Sequence, residues 1–308
     1  ELIKNNTPVA LKIIKTFANR MRVMNEMLTK ATLNSVTKET YEQIFNVASF
    51  YEKTSRSDIA IYAYYQYLKT KPTGPNADIA KQKFIALKPK THAVYFEPTE
   101  EMNRSYPKDT MIFSESQSGA DMFIIQKGEV TISKVVNGNE VILCVLKKGD
   151  MFGEMALLEN KPRSANAIAH SDCVVMVINR SNFNQMVSTQ PQLISKLTTT
   201  LAERLWSMYR QLDNANLRDP LSKMIDMLSL QIEKQKISIG TTKQSMQTEL
   251  TPKDLANMCA LPNQYQAKAI YQLEQSSNID IVGGKIFIKD LLELTKQAAF
   301  YRKQNNIS

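Results

Sequence analysis

The spacing of apolar positions changes twice along the chain. Between residues 8 and 30, Ile13, Ile14, Phe17, Met21, Met24 and Leu28 recur every three to four residues, which lays one stripe along a helix. A second helical region, roughly 39–70, is rich in aromatics; Pro72, Gly74 and Pro75 break it, and 77–87 resumes as a short helix before Pro89. From about residue 91 the texture becomes short β-like runs: HAVYF, TMIF, DMFIIQ, EVTISKVV, EVILCVL, SANAIAH and CVVMVIN. Turn residues separate them at Ser118-Gly119, Lys127-Gly128, Asn137-Gly138-Asn139 and Lys148-Gly149-Asp150. Many short strands with glycine corners predict an antiparallel barrel or jelly roll. Helical spacing returns over 192–216, where Leu193, Leu197, Leu201, Leu205, Met208 and Leu212 form a seam that a matching helix could cover.

The last part opens with Asp219-Pro220 and a helix to about 233. Thr251-Pro252-Lys253-Asp254 reads as a helix start: Thr251 caps, Pro252 sits in the first turn, and Asp254 reaches back to an unpaired backbone N–H. This helix ends near Cys259, and a second runs from about Pro262 to Gln275. The run NIDIVGGKIFIKD predicts a hairpin, because Gly283-Gly284 allows the positive φ of a tight turn. Together these elements predict a multidomain α+β protein. Residues 1–90 form an N-terminal α-helical region, 91–217 an antiparallel β-roll (jelly roll) with a long C-terminal helix, and 218–308 a helical domain with a hairpin.

At 308 residues the chain is long enough for two or three domains. No apolar run reaches the length a bilayer crossing needs, and ELIKNNTPVALK is not a secretory signal, so no membrane partner is expected. Cys144, Cys173 and Cys259 are far apart and lack metal spacing, and His92 and His170 cannot complete a site with them. A reducing, cytoplasmic setting fits these cysteines. The net charge of +9 is uneven: residues 1–90 carry +8, 91–217 carry −2 and 218–308 carry +3. A basic chain is therefore no argument by itself for nucleic acid. No serine or cysteine lies in a nucleophile setting and the histidines are isolated, so no enzymatic role is expected.

Two internal similarities stand out. Ile44, Val47, Ala48, Tyr51, Ala60, Tyr64, Tyr67 and Pro72 have spacings that resemble one tetratricopeptide unit, in which small alanines let two antiparallel helices approach closely. Such a hairpin is a candidate surface for a protein partner. A shift of 184 residues superposes Leu2, Ile3, Ile13, Phe17, Ala18, Arg20, Met21, Met24 and Leu28 on Met186, Val187, Leu197, Leu201, Ala202, Arg204, Leu205, Met208 and Leu212. The chain thus reads as starting inside the tail of an earlier copy of its middle domain, as a fragment of a longer protein.

The chemistry concentrates in FGEMALLENKPRSA, residues 152–165. Gly153 allows close backbone approach, and the backbone N–H groups of Glu154, Met155 and Ala156 open a short helix toward an anion. Arg163 can pair with phosphate oxygens, Ser164 adds a hydroxyl, and Ala165 adds its backbone. Glu154 can accept from a ribose 2′-OH; alternatively, Glu154 and Arg163 simply pair with each other. Glycine, glutamate, a short hydrophobic turn and Pro-Arg-Ser-Ala at this spacing resemble the phosphate-binding cassette of the cyclic-nucleotide-binding domain family, with the resemblance running from about 92 to 216. With the C-terminal part, the layout resembles the Crp/Fnr class of bacterial regulators.

The resemblance implies a cyclic nucleotide ligand, with ribose on Glu154 and phosphate on Arg163 and Ser164. Relatives that bind cAMP use a Thr-Ser pair in the long helix, where this chain has Met208 and Tyr209. That departure leaves cAMP, the expected ligand, and cGMP or another cyclic nucleotide all open. Trp206 and Tyr209 can stack on a purine or pack at an interface. Residues 220–295 resemble a winged helix-turn-helix, whose second helix enters the major groove of double-stranded DNA and whose wing touches backbone phosphate. Asn263, Gln264 and Gln266 are then candidates for reading bases, and Lys268 and Lys285 for meeting phosphate. The expectation is a homodimeric regulator that couples nucleotide binding to DNA binding. The competing expectation is a nucleotide sensor that acts on a protein partner, with the winged helix reading no DNA.

Overall fold

The computed structural model describes residues 7–33, 40–97, 99–136, 138–189 and 191–307. The expected matching of Leu2 and Ile3 to later positions, and the turn at Asn137, lie outside the described residues. Two compact units emerge: residues 1–23 with 37–202, and residues 24–36 with 203–308. Among the described residues, no helix is long and apolar enough to cross a membrane.

Helix α1, Thr7–Leu33, buries Ile14, Ala18, Met21 and Met24 along the predicted stripe. The aromatic region folds as two helices, α2 (Glu42–Lys53) and α3 (Ser57–Thr70). Ser55, at φ +62°, turns the chain between them. Ala48, Ala60 and Ala63 are completely buried where these helices pack, and α4 (Ala77–Leu87) follows.

Residues 103–178 form two antiparallel four-stranded sheets. One has the order β1 (Asn103–Tyr106), β8 (Cys173–Ile178), β3 (Met122–Lys127), β6 (Met151–Phe152). The other has the order β2 (Met111–Phe113), β7 (Asn166–Ala169), β4 (Val130–Val136), β5 (Asn139–Leu146). The interior is aromatic and aliphatic, with Phe113, Phe123, Phe152, Val130 and Val175 among its buried members. HAVYF, expected as a strand, adopts no regular element, and Tyr95 sits at φ +54° with its ring 5.0 Å from that of Tyr106. The first strand is the polar run Asn103–Tyr106, which pairs with β8 and turns Arg104 and Tyr106 inward.

The helical hairpin covers the outer face of the second sheet, since Ile44, Val47 and Tyr51 share one core with Met111, Val135 and Ile168. Tyr51 donates its phenol to Glu140 at 2.7 Å and lies 3.2 Å from the Ser133 hydroxyl. Gln43 donates to the Val135 carbonyl at 2.8 Å, beside the buried Lys134–Glu115 ion pair at 3.1 Å.

The short cassette helix between β6 and β7 is α5 (Glu154–Glu159), and β8 is followed by α6 (Arg180–Thr189) and the long α7 (Pro191–Asn216). Leu193, Leu197, Leu201, Leu205 and Met208 are already buried within the single chain. The C-terminal elements are α8 (Pro220–Lys234), β9 (Met246–Gln247), α9 (Pro252–Met258), α10 (Asn263–Glu274), β10 (Ile279–Val282), β11 (Lys285–Ile288) and α11 (Leu291–Ile307). Thr251 and Asp254 exchange side-chain to backbone hydrogen bonds at 3.1 and 3.0 Å, so the expected capping box is present. Gly283 and Gly284, at φ +59° and +76°, turn β10 into β11, and β9 completes a three-stranded sheet beside β11.

Asp226, completely buried on α8, ties this second unit together. It accepts from Asn214 at 3.0 Å and from Arg302 of α11, and lies 3.5 Å from Arg210 of α7. Removing it leaves two arginines without their common acceptor. Asp226→Ala is expected to lower unfolding free energy by about 3 kcal/mol, the low end for breaking a buried ion pair. A urea transition that follows this unit should then shift to lower concentration; an unmoved midpoint would show that the hub carries no stability.

Candidate functional site

The cassette begins where Gly153, at φ +77°, turns β6 into α5. A side chain here would be doubly disfavoured, since its Cβ would lie 2.8 Å from the Arg163 guanidinium and 3.2 Å from the Asp121 carbonyl. Helix α5 buries Glu154, Met155, Ala156, Leu157 and Leu158, then stops at Asn160, which takes a left-handed conformation. Arg180, at the start of α6, donates to the Leu157 carbonyl at 2.9 Å and to the Asn160 side chain at 3.2 Å. These bonds pin the last turn of α5 and aim the chain back through Pro162 toward Arg163.

Arg163 is the centre of the site and is buried. Its Nη1 donates to the Asp121 carbonyl at 2.6 Å and to the Gly153 carbonyl at 2.8 Å. The guanidinium carbon lies 4.2 Å from the Phe113 ring centre and 5.6 Å from that of Phe123. Those rings belong to a cluster in which Phe123 and Phe152 stack at 5.1 Å. Burial pulls the Arg163 pKa down to about 10, and nearby Asp121, Tyr62 and Glu154 oppose the fall, so the side chain keeps its charge at neutral pH. Its Nε is buried without a hydrogen-bond partner. The guanidinium thus donates to two backbone carbonyls.

Ser164 is half-buried, with its hydroxyl 3.6 Å from the Met155 sulfur, and Ala165 is buried beside it. Gly153, Glu154, Met155, Ala156, Arg163, Ser164 and Ala165 therefore come together in one compact turn. Sequence reasoning missed four contributors: Gly119, Asp121, Phe113 and Phe123. Gly119 was read only as a turn, yet a Cβ there would lie 2.7 Å from the Arg163 Nε. The aromatic rings were read only as strand interior, and a carbonyl such as that of Asp121 leaves no trace in side-chain patterns.

Trp206 and Tyr209 lie in the second unit and are 44% and 48% exposed, with the Arg210 guanidinium 6.0 Å from the Trp206 ring. Met208, one of the departures from the Thr-Ser pair, is buried. On α10, Gln264 and Lys268 are exposed, but Gln266 turns inward. Its amide donates to the Leu261 carbonyl at 2.8 Å and to the Asn257 side chain at 3.2 Å, bracing the turn between α9 and α10. Lys285 pairs with Glu249 on the surface, and the side chain of Asn263 lies outside the described residues. Tyr265 and Tyr271, 49% and 63% exposed, are the large apolar groups on α10 that sequence reasoning passed over.

Residues 103–190 match the cyclic nucleotide-binding domain family. Over 185 residues the chain is 27% identical to the cAMP-activated global transcriptional regulator CRP of Pasteurella multocida, covering 59% of this chain and 88% of the relative. Over 91 residues it is 38% identical to human cGMP-dependent protein kinase 2, covering 29% of this chain and 12% of that one. A structure of a CooA variant from Carboxydothermus hydrogenoformans superposes with a TM-score of 0.52 at 16% identity, covering 64% of this chain and 87% of the other. Residues 103–190 thus resemble a cyclic nucleotide-binding domain, and the chain as a whole is similar to a transcriptional regulator over 59% of its length.

The close approach at Gly119 gives a direct test of the site's packing. Gly119→Ala is expected to push the guanidinium off the Phe113 face and to cost about 1–3 kcal/mol, as overpacking does. A crystal structure of the variant with Arg163 unmoved would contradict this.

Proposed function

We propose that the protein is a cyclic-nucleotide-gated transcription regulator. In this reading Arg163 and Ser164 take the cyclic phosphate, the backbone of Gly153, Met155, Ala156 and Ala165 lines it, and Glu154 accepts from the ribose 2′-OH. The observation that carries the reading is Arg163: a buried, charged guanidinium with an unpartnered Nε, set between the start of α5 and Ser164. An unmade buried hydrogen bond costs about 1–3 kcal/mol, and a phosphate oxygen would remove that cost. Trp206 and Tyr209 are the candidate groups to cover the base. cAMP is the first candidate, because the long match is to a cAMP-activated regulator, while the shorter and more similar match to a cGMP-dependent kinase keeps cGMP in play.

The output is proposed to be DNA. Helix α9, the turn at Leu261 and α10, followed by the β10–β11 hairpin, have the element order of a winged helix-turn-helix. Gln264 and Lys268 on α10 would face the major groove, Asn263 would read a base edge, and Lys285 on the hairpin would meet phosphate once released from Glu249. Gln266 would position α10 through its turn rather than read a base. The leucine seam of α7 is covered within one chain, so a homodimer would use the exposed Trp206–Tyr209 edge. A cytoplasmic setting and a protein partner for the N-terminal helices complete the proposal.

One observation favours a second output. The exposed face of α10 carries Tyr265 and Tyr271, and the region from 218 onward holds only +3 net charge, a surface that suits a protein as well as a phosphate backbone.

Calorimetry with cAMP, cGMP and a cyclic dinucleotide should show submillimolar binding of one of them, weakened roughly 10- to 100-fold in Arg163→Ala, the scale of one charge-assisted hydrogen bond. Failure of all three to bind the wild type would overturn the ligand assignment. Retention on a random-sequence duplex at low salt, changed by the bound nucleotide, is the expected result for the DNA output. Absence of retention with nucleotide binding intact would favour the protein-binding output.

A further inference from the structure

The cassette is gripped from outside the roll. Arg22 of α1 reaches the end of α5, where its Nε donates to a Glu159 carboxylate oxygen at 2.6 Å and its Nη2 to the Pro162 carbonyl at 3.2 Å. Both side chains are almost fully buried. The other Glu159 oxygen is buried with no hydrogen-bond partner, so Arg22 is the cation that compensates this carboxylate. Pro162 is the residue immediately before Arg163, and the Arg163 peptide is itself fixed, its N–H donating to the Gln117 carbonyl and its carbonyl accepting from Ser116, both at 2.8 Å. Arg180 also grips this end of α5, but it comes from α6, the element directly following the roll. Arg22 comes from a helix more than a hundred residues earlier in the chain.

We infer that Arg22 is a positioning residue for nucleotide binding: through Glu159 and the Pro162 carbonyl it holds the loop that presents Arg163 to the phosphate. This rests on the ligand assignment proposed above and adds to it a residue outside the cassette. The chemistry favours this over a purely adhesive role for two reasons. A buried ion pair adds little net stability compared with apolar packing, so its presence calls for a geometric use. The second donor of Arg22 also goes to a backbone carbonyl one peptide bond from the phosphate ligand, and that bond is directional where burial is not. Preorganisation of this kind raises affinity by lowering the ordering cost at the moment of binding.

The test uses the full chain and titrates cAMP and cGMP by calorimetry. The informative variant is the double substitution Arg22→Met with Glu159→Leu, which replaces the ion pair by apolar side chains of similar bulk and is expected to leave the ligand-free Tm close to wild type. It should weaken the nucleotide that wild type binds by about fivefold or more, the scale of one lost hydrogen bond. In an Arg163→Lys background the same double substitution should change affinity by less than about twofold, because effects passing through one group do not multiply. Glu159→Gln, which leaves Arg22 an acceptor and its bond to Pro162, serves where the apolar pair lowers Tm, and should weaken binding less than Arg22→Gln does. Wild-type affinity in the apolar pair, equal losses with and without the Arg163 exchange, or Glu159→Gln as damaging as Arg22→Gln would overturn the inference. Wild type that binds neither cAMP nor cGMP overturns this inference, and one that also fails to bind the cyclic dinucleotide overturns the ligand assignment with it, whereas a binding wild type with indifferent variants overturns this inference alone.

Discussion

A buried guanidinium governs the architecture of the middle of the chain. Taking the Arg163 charge out of water is costly, and the roll offsets that cost with two backbone carbonyls, the faces of Phe113 and Phe123, and the fields of Asp121 and Glu154. Each of these constrains something else. The carbonyls of Asp121 and Gly153 must converge, which fixes where β3 begins and where β6 ends. The guanidinium must lie over the rings, and its place there leaves no room for a side chain at positions 119 and 153. A lysine would satisfy the charge but not this geometry, because its ammonium is a point charge with no planar face to stack.

The same economy of space explains why helices α2 to α4 are part of the same compact unit as the roll rather than an appendage. Helix α3 sends Tyr62 to accept a hydrogen bond from Gln117 at 3.2 Å, and Gln117 in turn accepts from the Arg163 backbone. Burial lifts the Tyr62 pKa to about 12, so the phenol stays neutral and able to take part in that contact at any physiological pH. On the other side of the hairpin, Gln43 and Tyr51 engage strand β4 through its carbonyl and hydroxyl groups. Burial raises the Glu115 pKa while Lys134 opposes the rise, and Gln43 lies within 3.4 Å of the same carboxylate. The polar groups on this sheet face are met by partners on the helices, so the helices cannot leave without exposing an unpaired set.

Legibility followed the range of the interaction. Periodicity located α1, α7 and the strand runs because a buried stripe repeats along one element. The Thr251–Asp254 box and the Gly283-Gly284 turn were readable because each is closed within a few residues. The cassette was readable because glycine, glutamate, arginine and serine fall within a dozen positions. What escaped depends on distant partners. Strand β1 has a polar sequence and exists because β8 offers it hydrogen bonds. HAVYF has strand-like residues but no strand neighbour. Gly119 matters because of Arg163, forty-odd residues away, and the inward turn of Gln266 is set by the Leu261 carbonyl rather than by its helix face. Helices α6 and α11 escaped as well, although α11 buries Leu291, Leu294 and Ala298 along one face.

The second unit shows how a weak electrostatic surface can coexist with a strongly determined interior. Its exposed charges are spread and partly cancelled, as Lys285 with Glu249 and Lys289 with Asp280 illustrate, and such surface pairs are worth little. Its buried charges converge on one carboxylate, Asp226, which gathers the end of α7, helix α8 and helix α11. Arg302 joins that hub from the far end of the chain, so α11 is braced against the helix that follows α7 rather than left as a tail. Asn214 and Arg210 of α7 are thereby tied to α8 through the Lys223 carbonyl, Asp226 and Glu233. Bracing of this kind does not depend on the exposed residues of α10, which can therefore vary without loss of the fold.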